Sequence, residues 1–262
     1  MSCPQTMTAG YPQYIPGTGA VTPPTGYSFY LLFTGAMGYG QSGISGWGFK
    51  SATSQTWYSM ATLQTNLIAW GKTLSNATVY VGPNDYFGFL NGKTVTNAAT
   101  ALGSMLQAVN SNTPASVLFY AACDAEMYSW TSNGGYTTAA NAYSDTLTFF
   151  QQVTVSCIMG GSSAGFDTQS HLRSICSSAF TLYPQLYNPG TTNCSSPVAN
   201  WSWWPADSAS PGYSGMQIDP SPYSTTCCCC LTGWTGLGHS TGSYTLFDWD
   251  SQGKGTCDSS GT

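Results

Sequence analysis

Short apolar runs alternate along the middle of the chain with segments whose apolar residues recur at a helical period. The runs predict buried strands at Tyr27–Thr34, Thr78–Val81, Ser116–Cys123 and Val153–Met159. Helical spacing predicts helices at Ser54–Leu74, Thr94–Val109, Thr137–Phe150 and Gln169–Tyr187. This alternation indicates an α/β protein with a parallel sheet and crossover helices.

The number of strands bears on which parallel fold the chain adopts. Further strands are predicted at Asn200–Trp204, Gly215–Ile218 and Ser243–Trp249. Roughly seven or eight strands in one domain favour a (β/α)8 barrel, which typically needs about 250 residues. An open doubly wound sheet is the alternative, because its strands and helices alternate in the same way.

Glycine, proline and small polar residues mark the segments outside these elements. The Pro-, Gly- and Thr-rich residues 1–26 predict an irregular lead-in, and the Gly-rich stretch Gly35–Gly48 predicts a loop. Residues 27–250 are expected to form a single barrel-like domain with cysteine-rich C-terminal loops. Residues 251–262 indicate a polar tail.

Charged residues are unusually scarce. The 262 residues include 5 Lys and Arg, 10 Asp and Glu and 2 His, so that 6% are charged, against about 25% in an ordinary domain. Nucleic-acid binding is therefore not expected, because it needs clustered Lys and Arg to neutralise phosphates. Membrane insertion is not expected either, because no apolar run approaches the ~18 residues that cross a bilayer.

The cysteines and glycosylation motifs indicate an extracellular protein. Ten cysteines favour an oxidising compartment, and three Asn-x-Ser/Thr motifs begin at Asn76, Asn193 and Asn200. The first residues carry no signal peptide, so we expect that it has been removed or that the chain belongs to a longer precursor.

The run Cys227–Cys230 predicts disulfides rather than a metal site. Four adjacent cysteines rarely converge tetrahedrally on one ion, and no second cysteine pair completes a ligand set. His171 and His239 are too few and too far apart in sequence for a metal centre. We predict neither a metal nor a cofactor.

The only glutamate of the chain, Glu126, follows Asp124 just beyond the strand predicted at Ser116–Cys123. Alternation along a strand places both carboxylates on one face, and strand carboxyl ends carry the site in parallel α/β folds. Two neighbouring carboxylates resist double ionisation, so one is expected to keep its proton. A protonated glutamate near Tyr128 and Trp130 fits general-acid cleavage of a glycosidic bond.

Asp124-Ala-Glu126 resembles the end of the Asp-x-x-Asp-x-Asp-x-Glu motif of chitinase-like glycoside hydrolases of family 18. The resemblance implies a (β/α)8 barrel in which Glu126 is the general acid. It also implies that Asp124 supports a substrate acetamido group, which attacks the anomeric carbon. By the same resemblance, Met216–Asp219 corresponds to a sixth strand, and Tyr244–Trp249 to an eighth. Gln217, Asp219 and Trp249 are then candidate sugar contacts.

The chain departs from this family at several positions. Phe119 and Ala122 stand where the motif has its two earlier aspartates, Asp219 stands in place of a sixth-strand tyrosine, and the third-strand Ser-x-Gly-Gly is absent. The departures imply reduced activity, another substrate, or sugar binding without catalysis. The expected partner is in each case a polysaccharide or an oligosaccharide.

Two other classes of function remain open. Gly161–Gly165 forms a G-x-S-x-G motif between a predicted strand and a predicted helix, the context of a serine hydrolase nucleophile. Ser163 would then act with His239 and with Asp207 or Asp219 in an esterase-like enzyme. A non-catalytic structural or sugar-binding extracellular protein is the third class.

Overall fold

The computed structural model describes the central part of the chain and short pieces of the rest. The described residues are 7–8, 29–33, 36–50, 56–83, 89–125, 148–149, 152, 157–161, 181–184, 216–218, 236–237 and 244–247. They include helices α1 (Met60–Gly71) and α2 (Val95–Asn110). The strands are β1 (Met7–Thr8), β2 (Phe29–Phe33), β3 (Met37–Tyr39), β4 (Trp47–Lys50), β5 (Trp57–Ser59), β6 (Ala77–Gly82), β7 (Val117–Ala125), β8 (Cys157–Gly161), β9 (Thr181–Pro184), β10 (Met216–Ile218) and β11 (Tyr244–Phe247).

A parallel sheet of five strands, in the order β2-β6-β7-β8-β9, forms the centre of the fold. β-Branched and aromatic residues such as Val79, Val81 and Phe119 suit its buried surface. β1, β11 and β10 form a second parallel sheet in that order. The α/β class is therefore confirmed, and the described strands form no closed, continuously hydrogen-bonded barrel.

Both helices begin at side-chain caps. The Ser59 hydroxyl accepts a hydrogen bond from the Thr62 amide at the start of α1. At the start of α2, Thr94 and Asn97 exchange side-chain-to-backbone hydrogen bonds in a capping box. These contacts satisfy amide groups that the first helical turn leaves without partners.

The core lies between the two helices and one face of the parallel sheet. Trp70 of α1 meets Tyr30 of β2 edge-to-face, with ring centroids 5.0 Å apart, and meets Phe119 of β7 at 6.4 Å. α2 contributes fully buried residues, among them Leu102, Leu106 and Val109. One apolar stripe per helix thus packs onto the same side of β2, β6 and β7.

Asn110, the last residue of α2, bonds the backbone of β7. Its Nδ2 donates to the Phe119 carbonyl at 2.8 Å, and its Oδ1 accepts from the Phe119 amide at 2.7 Å. Among the described residues, pairing between β7 and β8 begins at Ala121. The asparagine therefore satisfies both backbone hydrogen-bonding groups of Phe119.

An antiparallel sheet of β3, β4 and β5 lies between β2 and α1 in the chain. The predicted loop at Gly35–Gly48 is therefore wrong, because it contains β3 and the start of β4. Gly38 and Gly48 pair across the sheet, and a Cβ at Gly38 would lie 2.7 Å from Trp57. Glycine is thus required here by close packing rather than by a turn.

The other strand and helix predictions agree with the structure to different degrees. The strands predicted from Tyr27, Thr78, Ser116, Gly215 and Ser243 and the helix predicted from Thr94 are confirmed within a few residues. The helix predicted at Ser54–Leu74 is wrong at its start, because β5 precedes α1. The helix predicted at Gln169–Tyr187 is wrong at Thr181–Pro184, which form strand β9. A β-branched residue, an aromatic residue and a proline favour extended backbone there.

Further predicted features fall partly or wholly outside the described residues. Three predicted features lie wholly outside them: Asn200–Trp204, the cysteine run and the polar tail. Two others lie partly outside: residues 153–156 of the strand predicted to end at Met159, and most of the helix predicted at Thr137–Phe150. Within the predicted lead-in, β1 pairs in parallel with β11. Neither of the two helices whose full length is described could cross a membrane.

Candidate functional site

The carboxyl ends of neighbouring parallel strands meet at one edge of the five-stranded sheet. Phe33 at the end of β2 pairs with Gly82 at the end of β6, and β7 continues beyond β6 as far as Ala125. Crossover helices leave this edge open in parallel α/β folds, so ligands bind there. We call it the carboxyl edge.

Alternation along β7 divides its positions between two faces. Val117, Phe119 and Ala121 are fully or almost fully buried, and Phe119 contacts α1. Tyr120 lies on the opposite face, where its ring stands 5.3 Å from that of Tyr80 on β6. Position 124 shares the face of Tyr120, because every second position of a strand belongs to the same face.

Asp124 is the predicted catalytic residue that the structure describes most directly. It is the last residue but one of β7, lies at the carboxyl edge, and pairs with Gly160 of β8. Glu126 follows β7 immediately in the sequence but lies outside the described residues. The predicted position of Asp124 at a strand carboxyl end is therefore confirmed, and its partnership with Glu126 stays a prediction.

The remaining candidates are described only in part. Gln217 lies in β10 and pairs with Thr245 of β11. Four predicted sugar contacts, Tyr128, Trp130, Asp219 and Trp249, lie outside the described residues, as do Ser163 and His239 of the alternative hydrolase. The structure therefore brings no two of the predicted site side chains together within the part that it describes.

Phe119 and Ala122, which stand where the resembled motif has aspartates, have different surroundings. Phe119 is fully buried on the helix-facing side of β7, against Trp70. Ala122 is fully buried on the other face, and its carbonyl lies so close to Gly82 that a Cβ there would overlap it. Position 119 is thus part of the core, and position 122 shares a face with position 124.

The register brings Tyr183 of β9 to the same level of the sheet as Asp124. Tyr183 pairs with Gly160, which pairs with Asp124 on its other side. Gly160 has no side chain, so only a hydrogen atom projects from the strand position that lies between Asp124 and Tyr183. The sequence-based reasoning missed Tyr183 because it assigned this segment to a helix. Its signal was the sequence Thr-Leu-Tyr-Pro.

The strand order also changes one correspondence with the glycoside hydrolases. Counted along the chain, β9 is the sixth described strand that pairs in parallel, and β10 is the seventh. The expectation that Met216–Asp219 forms the sixth strand is therefore wrong. The reason is that β9 lies in a segment with helical spacing, where no strand was expected.

A second group of residues missed by sequence reasoning lies on the antiparallel sheet. Tyr39 and Trp47 pair across β3 and β4, and their rings meet edge-to-face with centroids 5.2 Å apart. The Lys93 ammonium lies 4.7 Å from the centre of the Tyr39 ring, a cation–π contact. Tyr39 and Trp47 are half-buried and Lys93 is exposed. We call these three residues the Tyr39 surface.

Hydrogen bonds from three directions hold the backbone of the Tyr39 surface. The Tyr39 carbonyl accepts from Nδ2 of Asn91 at 2.8 Å and from Nε2 of Gln41 at 2.9 Å. The Tyr39 amide donates to the Phe89 carbonyl at 2.9 Å. Two side chains and a distant segment therefore fix the backbone at Tyr39, from which one ring of this surface projects.

Chain connectivity places the Tyr39 surface near the carboxyl edge. β3 begins at Met37, a few residues after β2 ends at Phe33, and β5 leads directly into α1. Phe89 and Lys93 belong to the connection between β6 and α2. One connection starts at the carboxyl end of β2 and the other at the carboxyl end of β6. The Tyr39 surface therefore lies toward the same end of the parallel strands as Asp124.

The opposite face of the antiparallel sheet carries aromatic contacts between half-buried residues. Trp57 meets Phe89 edge-to-face at 5.3 Å, and the Lys50 ammonium lies 6.0 Å from the Phe89 ring centre. Tyr58 lies on the same face as Tyr39 and Trp47, because it pairs with Phe49, and burial raises the pKa of its phenol far above the ordinary value, so Tyr58 stays neutral. These contacts fix the sheet as a support for the Tyr39 surface.

Comparisons with known proteins give no assignment: no family model matches the chain, and no curated protein matches it. Among the residues that the structure describes, no group of three His, Cys, Asp or Glu side chains could hold a metal ion.

Proposed function

We propose that this is a secreted, carbohydrate-active protein that hydrolyses glycosidic bonds with Glu126 as general acid. The observation that carries the proposal is the position of Asp124 at the carboxyl edge, two residues before the only glutamate of the chain. The substrate is a polysaccharide or an oligosaccharide, and neither nucleic acid nor membrane insertion is part of the proposal. Secretion is supported by the ten cysteines.

We infer further that the parallel strands belong to a (β/α)8 barrel. In the five-stranded sheet, the strands follow one another in space in the same order as in the chain, from β2 through β6, β7 and β8 to β9. An open doubly wound sheet instead reverses its strand order at one point. Residues of β1 lie close to β2, and residues of β10 lie close to β9. These neighbours supply the two junctions that would connect the parallel sheets into a ring of eight strands.

The proposed reaction begins with proton transfer from Glu126 to the glycosidic oxygen. As the bond from that oxygen to the anomeric carbon breaks, the acetamido oxygen of the sugar attacks the same carbon, with Asp124 holding the acetamido group. Water then adds to the anomeric carbon as the bond between that carbon and the acetamido oxygen breaks, and the proton that the water loses returns to Glu126. Tyr128, Trp130, Gln217, Asp219 and Trp249 are proposed sugar contacts, and Tyr183 joins them because it shares the level of Asp124.

Replacing Glu126 by glutamine removes the transferable proton and should abolish hydrolysis of a chitin oligosaccharide. General acid catalysis contributes about 10²- to 10⁴-fold to a rate, and a loss of this size is expected. Product release is measured by chromatography for wild type, Glu126→Gln and the exposed control Asn112→Gln. Equal rates for all three proteins, with measurable turnover, would exclude Glu126 as the acid.

The esterase-like alternative is supported by one observation, that β8 ends at Gly161, the first glycine of the G-x-S-x-G motif. A fluorophosphonate probe should label Ser163 if this alternative is correct, and labelling should depend on His239.

Binding of polysaccharide without turnover, unchanged by substitution of Glu126 or Ser163, would instead indicate the non-catalytic class.

Replacing Trp47 by alanine should weaken polysaccharide binding while the fold is retained. Loss of an aromatic contact worth about 1.4 kcal/mol corresponds to roughly tenfold weaker binding. Trp47→Phe keeps an aromatic ring and should retain most of the affinity. Titration calorimetry with a soluble oligosaccharide measures the affinity, and circular dichroism checks the fold. Unchanged affinity in a folded Trp47→Ala protein would show that the Tyr39 surface does not bind the polysaccharide.

A further inference from the structure

Asn76 occupies an exposed turn between α1 and β6. Its backbone φ is 51°, in the left-handed region that asparagine adopts more readily than most residues. The side chain is exposed, whereas the next residue, Ala77, is buried and its amide donates to the Ser116 carbonyl at 3.0 Å. The turn thus presents Asn76 to solvent on an anchored backbone.

The residues after Asn76 complete a glycosylation motif, Asn76-Ala77-Thr78. Of the three such motifs in the chain, only this one lies within the described residues. N-linked sugars are found on surface positions of secreted proteins. The exposure of Asn76 therefore agrees with what the modification requires.

An exposed apolar side chain lies beside this motif. Leu118 pairs with Thr78 across β6 and β7, and 41% of its surface is exposed, the one large hydrophobic side chain so exposed among those described. Asn76 lies two residues before Thr78, immediately before β6. A sugar attached to Asn76 would have apolar surface to cover within reach.

We propose that Asn76 carries an N-linked glycan whose first sugar covers Leu118. The amide nitrogen Nδ2 loses a proton and bonds to the anomeric carbon of an oligosaccharide, and the lipid diphosphate that carried the oligosaccharide leaves. This inference rests on the proposed secretion. β6 separates Asn76 from the carboxyl edge by about 17–20 Å, so the glycan leaves the candidate site open.

The test expresses the full chain behind a cleavable secretion signal in a eukaryotic cell. Peptide N-glycosidase treatment in ¹⁸O-labelled water marks every asparagine that carried a glycan, and peptide mass spectrometry of the secreted and retained protein locates the marks. A marked Asn76 is expected in wild type and in Thr78→Ser. Thr78→Val keeps the shape of the side chain but should lose the mark, and Asn112→Gln should keep it. An unmarked Asn76 in wild type would overturn the proposal.

A second measurement tests the covering of Leu118. Removing the glycan from folded wild-type protein should increase the binding of an apolar fluorescent dye, and Leu118→Ser should abolish that increase. An increase that persists in Leu118→Ser would contradict the contact between sugar and Leu118. Secretion itself is tested separately, by expressing the natural gene without the added signal, so its failure leaves the result at Asn76 intact.

Discussion

Replacing Gly82 by alanine is expected to destabilise the fold by about 3 kcal/mol or more, because the added methyl group has no room. Gly82 ends β6 and pairs with Phe33 of β2. On its other side, a Cβ would overlap the carbonyl group of Ala122, a backbone atom of β7 that no rotamer change can move. Relief of the overlap requires β6 and β7 to separate where both strands are buried.

The loss should appear as a lower Tm and a lower denaturant midpoint. For a chain of this size, about 3 kcal/mol corresponds to a decrease in Tm of roughly 6–12 °C. Gly236→Ala is the matched control, since Gly236 is exposed and a Cβ there would meet nothing within 4 Å. A Gly82→Ala protein as stable as Gly236→Ala would show that the two strands are farther apart than the structure has them.

Sequence patterns predict the central strands and helices because each of these has its own local signal. The run at Thr78–Val81 is apolar or β-branched throughout, and the segment from Thr94 begins with a capping residue and continues with apolar residues at helical spacing. β3 and β4 have no such signal. Their strands are stabilised by contacts between distant residues, such as the packing of Trp57 onto Gly38, which spacing cannot reveal.

The candidate site shows the same division between local and long-range information. The apolar run that forms β7 is sufficient to place Asp124 at the end of a strand. Alternation along that strand then places position 124 on the face away from the helices. Tyr183 and Tyr39 could not be found in this way. Tyr183 reaches the level of Asp124 only through the register of β7, β8 and β9, and Tyr39 meets Lys93 from a distant part of the sequence. Register and loop closure are set by packing of the whole domain.

Truncation of Phe119 should be costly because its ring is one of the large, fully buried side chains of the described core. Phe119→Ala is expected to destabilise the protein by about 3–5 kcal/mol, the range for a buried Phe replaced by Ala. The ring is fully buried, stands edge-to-face to Trp70, and lies against Gly71, where a Cβ would come within 3.0 Å of it. Strand β7 cannot move to close the cavity without straining the two hydrogen bonds between its Phe119 backbone and Asn110 of α2.

The neighbouring residue Leu118 supplies the control for this prediction. Leu118→Ala removes apolar atoms from the same strand, but from a side chain that is 41% exposed, so its effect should stay within about 0.5 kcal/mol. Chemical denaturation of both variants measures the difference. Equal stability of the two proteins would contradict the placement of Phe119 in the core.

The same packing bears on the glycoside hydrolase motif, which has an aspartate where this chain has Phe119. Phe119→Asp would place a carboxylate among Trp70, Gly71 and the apolar face of α1, where burial of an unpaired charge is more costly than the loss of the ring alone. We therefore expect Phe119→Asp to be less stable than Phe119→Ala at neutral pH, and to regain part of the difference as acid protonates the carboxyl group. A Phe119→Asp protein that is as stable as wild type would show that this chain still has the space and the partners that the motif requires.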